Sequence, residues 1–191
     1  DYIVDGSISS QFITGLLFAL PLLDGNSHIQ ILPPVTSLPY IQITLDVLKH
    51  FGIDAKFCDN NIDIPGNQHY TAIDSICEGD WSNAAFLHLF NHIGGDVVIS
   101  GLNPDSKQAD KCCLSHFKAL EKGFCTIDLE NCIDLGPILF TFAALKNGAK
   151  FENCRRLRIK ESDRVADLCM ELAKIGAEAK IDDNSVIIKP S

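Results

Sequence analysis

Apolar residues follow two rhythms along this chain: alternate positions in short runs, and a three-to-four spacing in longer ones. Tyr2-Ile3-Val4, entering a turn at Asp5-Gly6, reads as a strand. Residues 10–23, 82–93 and 134–147 are apolar nearly all round, and each stretch opens on a residue suited to capping. They read as interior helices. A second kind of helix is amphipathic and ends on glycine. Leu48-Lys49-His50-Phe51-Gly52-Ile53-Asp54-Ala55-Lys56-Phe57 recurs as Leu172-Ala173-Lys174-Ile175-Gly176-Ala177-Glu178-Ala179-Lys180-Ile181, a helix end, a glycine just past it and then a strand. Leu120-Glu121-Lys122-Gly123 is a third copy of the helix end. Downstream, Asp59-Asn60-Asn61-Ile62-Asp63-Ile64 matches Asp183-Asn184-Ser185-Val186-Ile187-Ile188, a short turn between two strands.

These matches define a repeat of strand, buried helix, strand, surface helix and two-stranded hairpin, with copies starting near residues 1, 77 and 126. The expected fold class is α/β, built from βαβαββ units. The middle copy is shorter, because Gly123 passes almost directly into Cys125-Thr126-Ile127-Asp128-Leu129, so its hairpin is expected to be reduced or missing. Glycine between acids at Glu78-Gly79-Asp80 suits a hinge, which divides the chain into residues 1–77 and 78–191.

Charge narrows the chemistry. A net charge of −9 argues against a general nucleic-acid or anionic-membrane binder, since either needs an extended cationic face. The longest apolar run, residues 16–23, is far short of the roughly 20 residues that span a bilayer. No signal peptide is expected, and an opening without methionine reads as a chain cut from something longer. The eight cysteines contain no C-x-x-C pair and several lie in apolar stretches, which predicts reduced thiols in a cytoplasmic protein and no metal. His88 and His92 stand one helical turn apart, but no glutamate follows His88 as the zinc-protease pattern requires.

Against that acidic background, five of the 16 Lys and Arg residues fall between positions 155 and 164. The run Arg155-Arg156-Leu157-Arg158-Ile159-Lys160 reads as a strand, with Arg156, Arg158 and Lys160 on one face. Ser162 or Asp163 is placed to cap the helix that follows, whose apolar positions are Val165, Leu168, Cys169, Leu172 and Ile175. Lys160, Glu161 and Arg164 then crowd a helix N-terminus, where backbone N–H groups and the helix dipole favour an anion. At the first buried helix Ser9 or Ser10 serves as N-cap, and the Asp5-Gly6-Ser7 turn permits close backbone approach. Asp134 stands as N-cap of the third buried helix.

The order of motifs resembles the 5-enolpyruvylshikimate-3-phosphate synthase family. Gly6-Ser7-Ile8-Ser9-Ser10-Gln11-Phe12, Ser37-Leu38-Pro39-Tyr40, Glu78-Gly79-Asp80, Asp134-Leu135-Gly136-Pro137 and Lys160-Glu161-Ser162-Asp163-Arg164 occur in that family's order along the whole chain. The resemblance implies two lobes of βαβαββ units in an inside-out α-β barrel-like arrangement. Residues 1–77 would be the last unit of one lobe, and residues 78–191 two units of the other. It implies transfer of the enolpyruvyl group of phosphoenolpyruvate to the 5-hydroxyl of shikimate 3-phosphate, in the cytoplasm, by a monomer without cofactor or metal. Asp134, Lys160 and Glu161 would be catalytic. Ser9, Ser10, Gln11, Ser37, Asp134 and Lys160 would bind shikimate 3-phosphate, and Gln11 and Arg164 phosphoenolpyruvate. Arg156 and Tyr40 fit either substrate contact or packing. The family's N-terminal lysine, an arginine from an earlier unit and cations near its C-terminus have no counterpart here, so this piece alone is expected to be inactive. The alternatives are the sister transferase acting on UDP-N-acetylglucosamine, and a non-catalytic module that retains substrate affinity.

Overall fold

A computed structural model describes residues 1–191, which divide into two compact units, Asp1–Cys77 and Glu78–Ser191. The first holds β1 (Tyr2–Asp5), α1 (Ser10–Ala19), β2 (Ser27–Leu32), α2 (Leu38–His50), β3 (Lys56–Cys58) and β4 (Asn61–Ile64). Its sheet runs β1-β2-β4-β3. β1 and β2 are parallel, Tyr2 facing Ile29, while β4 is antiparallel to both β2 and β3. Asp59 and Asn60 both take positive φ in the tight turn from β3 to β4, a backbone that Asn and Asp tolerate better than most residues.

The second unit opens with α3 (Trp81–His92) and α4 (Cys113–Lys122) and continues as β5 (Cys125–Asp128), α5 (Gly136–Leu145), β6 (Ala149–Glu152), α6 (Arg164–Ala173), β7 (Glu178–Ile181) and β8 (Ser185–Lys189). Its sheet order, β5-β6-β8-β7, and its strand directions repeat those of the first unit. The βαβαββ repeat read from the sequence is therefore present twice, in the first and last copies. No helix is long and apolar enough to cross a membrane.

Three expectations need correction. The middle copy lacks its strands as well as its hairpin: residues 95–100 are irregular, and Val98 is 91% exposed. With neither a first strand nor a hairpin beside it, that apolar run has no ladder to join. Asn91 instead satisfies Val97, donating to its carbonyl at 2.8 Å and accepting from its N–H at 2.7 Å. Second, the basic run is not a strand. Arg155–Ile159 forms a 3-10 turn, in which side chains three apart share a face, so the alternation of Arg156, Arg158 and Lys160 does not arise.

Third, only one of the three apolar helices is fully interior within its unit. In α5 every residue from Ile138 to Ala144 except Thr141 is buried, and the helix packs on α3, α4 and α6. In α1 only Ile13 and Leu17 are buried, with Phe12 and Phe18 exposed. In α3 Phe86 and Phe90 are likewise exposed. Composition sets how apolar a helix is; its neighbours decide how much of it is covered.

Each unit has its own core. Ile13, Leu17, Ile29, Ile31, Ile41, Leu48 and Ile62 fill the first. In the second, Phe117 and Phe142 meet edge to face at 5.1 Å, and Phe140 lies 4.5 Å from Phe151. Gly148 has φ +72, and an added Cβ would sit 2.6 Å from the Ile188 carbonyl, so the tight passage from α5 into β6 requires glycine there.

Candidate active site

In the second unit, parallel β5 and β6 deliver two loops to the same end of the sheet, each running into a helix N-terminus. The first loop carries Asp134 in a 3-10 turn, Ile133–Leu135, immediately before α5. Leu135, not Asp134, is the N-cap residue, and Pro137 stands in the first turn. The Asp134 carboxylate is thus not committed to capping. It accepts from Arg164 Nη1 at 3.0 Å and lies 3.6 Å from Lys160 Nζ. Arg164 also donates to Glu161 Oε2 at 2.6 Å, so two carboxylates share one guanidinium, whose planar fork suits that geometry.

The second loop is held by its own polar ties. Asp163, not Ser162, caps α6, accepting from the Ala166 N–H at 3.1 Å, and it also accepts from Arg158 Nε at 3.1 Å. Those bonds hold the Asp163 carboxyl below its usual range: the Ala166 N–H leads, partial burial opposes, and Arg158 adds. Arg156 donates to the Glu130 carbonyl at 3.3 Å, tying this loop to the one that carries Asp134. Arg156 loses some basicity to burial, with Asp134 and Glu130 opposing. Lys160 and Arg164 are about a quarter exposed, Asp134 about half, and Glu161 mostly.

In the first unit, β1 and β2 likewise deliver α1 and α2 to one end of a parallel pair. Ser9 is the α1 N-cap, its hydroxyl accepting from the Gln11 N–H at 3.2 Å; Ser10 begins the helix and Gln11 is exposed. Asp5 accepts from the Ser7 N–H at 2.9 Å and hydroxyl at 2.6 Å, and these bonds hold the Asp5 carboxyl below its usual range. Ser37, buried, precedes α2 with φ 55, a left-handed backbone uncommon for serine. Thr36 joins the two loops, donating to the Gly6 carbonyl from both its N–H (3.1 Å) and its hydroxyl (3.0 Å). An added Cβ at Gly6 would lie 2.8 Å from both Ile31 Cγ2 and the Leu32 carbonyl. This glycine therefore serves close packing of the chain on itself.

The residues singled out from the sequence thus fall into two groups. Asp134, Lys160, Glu161 and Arg164 form one bonded cluster, while Ser9, Ser10, Gln11 and Ser37 occupy the corresponding helix starts of the first unit. Thr36 and Glu130 were missed, because they act toward or through a main-chain carbonyl and their local sequence carries no signature of that. Arg158, read as one cation of a strand face, instead ties to Asp163. Glu78 and Asp80 have structural work. Glu78 accepts from Ser106 at 2.7 Å and Gln108 at 2.9 Å, and Asp80 caps α3 through the Ser82 N–H at 2.9 Å. His88 stacks on Trp81, and His92 bonds Glu121 at 2.7 Å, so this pair does not converge on a common point.

Glu161 provides a direct test of the cluster. Its own backbone N–H and then Arg164 hold its carboxyl below the usual glutamate range. A depressed value means that the stabilising contact is complete above the unfolded-state pKa and is lost as pH falls through the lower folded value. Carbon-detected NMR of the side-chain carboxyl should therefore show a midpoint below that of free glutamate. Arg164→Ala should raise it part of the way, because the backbone bond remains. A midpoint that Arg164→Ala leaves unmoved would dissolve the pairing.

Residues 2–191 match the family model described as EPSP synthase (3-phosphoshikimate 1-carboxyvinyltransferase). The chain is 40% identical over 204 residues to the 3-phosphoshikimate 1-carboxyvinyltransferase of Brachyspira hyodysenteriae, covering 96% of this chain and 49% of that one. It is 41% identical over 207 residues to the Clostridium kluyveri protein of the same name, covering 98% and 48%. Among solved structures, EPSP synthase from Acinetobacter baumannii superimposes with a TM-score of 0.76 at 21% identity, over 100% of this chain and 48% of that one. The chain therefore spans about half the length of the relatives it matches.

Proposed function

This chain belongs to the EPSP synthase family, and from that premise we propose that it carries part of a site moving the 1-carboxyvinyl group of phosphoenolpyruvate to the 5-hydroxyl of shikimate 3-phosphate. The reaction would serve aromatic amino-acid biosynthesis in the cytoplasm, a setting that suits eight free cysteines. Residues 1–77 would be the last unit of one lobe and 78–191 two units of the other. The observation that carries the reading is the Asp134–Arg164–Glu161 cluster with Lys160 beside it, at helix starts over the carboxyl ends of two parallel strands.

The chemistry needs a base for the 5-hydroxyl and an acid for C3 of phosphoenolpyruvate, close together yet not neutralising each other. Asp134 takes the hydroxyl proton as that oxygen attacks C2, and Glu161 delivers a proton to C3. The resulting ketal expels phosphate as Glu161, left as a carboxylate, takes back a methyl proton, and the enol ether is restored. Arg164 stands between the two carboxylates, so an incoming phosphoenolpyruvate competes with Glu161 for its guanidinium. Once released from Arg164, Glu161 loses a contact that keeps it ionised, so its pKa rises and it more readily carries the proton it has to deliver. Lys160 holds the acceptor and offsets charge as it develops. Ser9, Ser10 and Ser37 bring hydroxyls to helix starts, whose dipoles would favour a 3-phosphate dianion, and Gln11 is assigned to both substrates.

Isothermal calorimetry of the 191-residue chain with shikimate 3-phosphate, phosphoenolpyruvate and UDP-N-acetylglucosamine tests this reading. Heat from shikimate 3-phosphate that Ser9→Ala and Ser10→Ala together weaken at least tenfold is the expected result. Heat from the UDP-sugar alone would hand the site to the sister enzyme, and no heat from any of them would leave a scaffold.

A further inference from the structure

Cys112, His116 and Cys132 lie outside the cluster around Asp134, and the reaction does not use them. Cys112 is the N-cap residue of α4 and His116 stands one turn further along, a spacing that puts both on one face of the helix. The adjacent flank of the helix carries Cys113, Phe117 and Leu120, all fully buried, which fixes the helix against the core. The chain then returns through β5 and places Cys132 directly before the 3-10 turn that bears Asp134. Cys132 is 4% exposed, and its sulfur lies 3.7 Å from the Asp128 carbonyl oxygen. The three candidate donor atoms, Sγ of each cysteine and one ring nitrogen of His116, all lie within 4.8 Å of one another.

Zinc takes thiolate at about 2.3 Å and imidazole at about 2.0 Å, so the donors of a tetrahedral site stand about 3.5 Å apart. Small side-chain rotations close the remaining gap, because the backbone has already brought two separate segments together. Two sulfurs and an imidazole select zinc, or cobalt as its spectroscopic substitute, over magnesium or calcium, which take oxygen ligands. Cys112 and His116 are partly exposed, which leaves a path for the ion and room for water as fourth ligand. Two thiolates cancel the charge of a divalent ion, so the site adds no net charge to a half-buried place. The absence of a C-x-x-C pair hid it in the sequence, since the third ligand comes from across the sheet connection.

We propose that Cys112, His116 and Cys132 bind one zinc ion that fastens the turn carrying Asp134 to α4. The test uses the reduced, metal-free 191-residue chain titrated with cobalt(II). Expected are a thiolate-to-cobalt charge-transfer band and strong tetrahedral d–d bands that saturate at one equivalent and disappear when zinc is added. Cys112→Ser should weaken binding at least tenfold and roughly halve the charge-transfer band. His116→Ala should weaken binding while keeping that band, and Cys112→Ser with Cys132→Ser should abolish it. If Cys132→Ser disturbs folding by circular dichroism, Cys112→Ser with His116→Ala carries the same test at two partly exposed positions. No tetrahedral bands in a folded, reduced chain, or bands that survive the paired substitutions, would overturn the proposal. So would a Cys112–Cys132 disulfide, detected as the loss of two hydrogens by mass, in a chain that takes up no cobalt when reduced. None of these readouts depends on transferase activity.

Discussion

Asp134→Ala is expected to lower turnover of shikimate 3-phosphate with phosphoenolpyruvate by about 10²- to 10⁴-fold, the range that removal of a positioned general base produces. The assay belongs in a form of the protein as long as the relatives this chain half covers. Affinity for shikimate 3-phosphate should change little, because its phosphate is assigned to Ser9, Ser10 and Ser37. Folding should tolerate the change: Asp134 is half exposed, caps no helix, and leaves Arg164 still bonded to Glu161. The competing explanation is that Asp134 only holds Arg164 in place. That role would show as a raised KM for phosphoenolpyruvate with kcat nearly intact, whereas a base lost from the transition state lowers kcat. Asp134→Asn sharpens the distinction, since the amide oxygen can still accept from Arg164 Nη1 but cannot take a proton. An Asn variant as slow as the Ala variant supports the base, and one that restores activity removes it.

Much of the fold was legible because its signals are local. Glycine after α2 and α6 and the polar turn of each hairpin are written in a few adjacent residues, and comparing the copies supplied the rest. The failures have a common cause, partners distant in sequence. Val97-Val98-Ile99 has the composition of a strand, but strand propensity needs a neighbour to pair with, and the shortened copy provides none. Arg155–Ile159 alternates charge and apolarity like a strand, yet it lies between β6 and the Asp163 cap, where buried Leu157 and the Arg156–Glu130 bond draw it into a tight turn. The same reasoning explains the site. Lys160, Glu161 and Arg164 announced themselves by charge and by the helix start beside them. The contacts of Lys160 and Arg164 with Asp134 depend on two loops leaving the same end of β5 and β6, and that follows only once the parallel pairing is known. Thr36 and Glu130 contribute through or toward main-chain carbonyls, which any residue possesses.

Dependence of the site on distant packing leads to the second large effect. Phe140→Ala should destabilise the second unit by about 3–5 kcal/mol, the range for removing a phenyl ring from a fixed core. Phe140 is fully buried on α5, and its ring lies 4.5 Å from that of Phe151 on β6, so it joins the helix that follows Asp134 to the strand that leads to Lys160. Neither neighbour can easily fill the space, because α5 is walled by α3, α4 and α6. Against a usual domain stability of about 5–15 kcal/mol, the loss is large. Urea unfolding followed by the fluorescence of Trp81 measures it. Trp81 is the chain's one tryptophan, and it is 5% exposed in the same core. With slopes of about 1–3 kcal/mol per molar urea, the midpoint should fall by roughly 1–5 M. Phe86→Ala, at an exposed position on α3, is the matched control and should stay within about 0.5 kcal/mol. In a form of the protein as long as its relatives, Phe140→Ala should also reduce the proposed activity at temperatures where the unit remains folded, because the start of α5 sets the direction of the Asp134 turn. Full activity alongside a lowered midpoint would mean that the bonds to Arg164 and Lys160 hold Asp134 without help from the core. A midpoint equal to that of the Phe86 variant would mean that the Phe140–Phe151 contact does not join helix to strand at all.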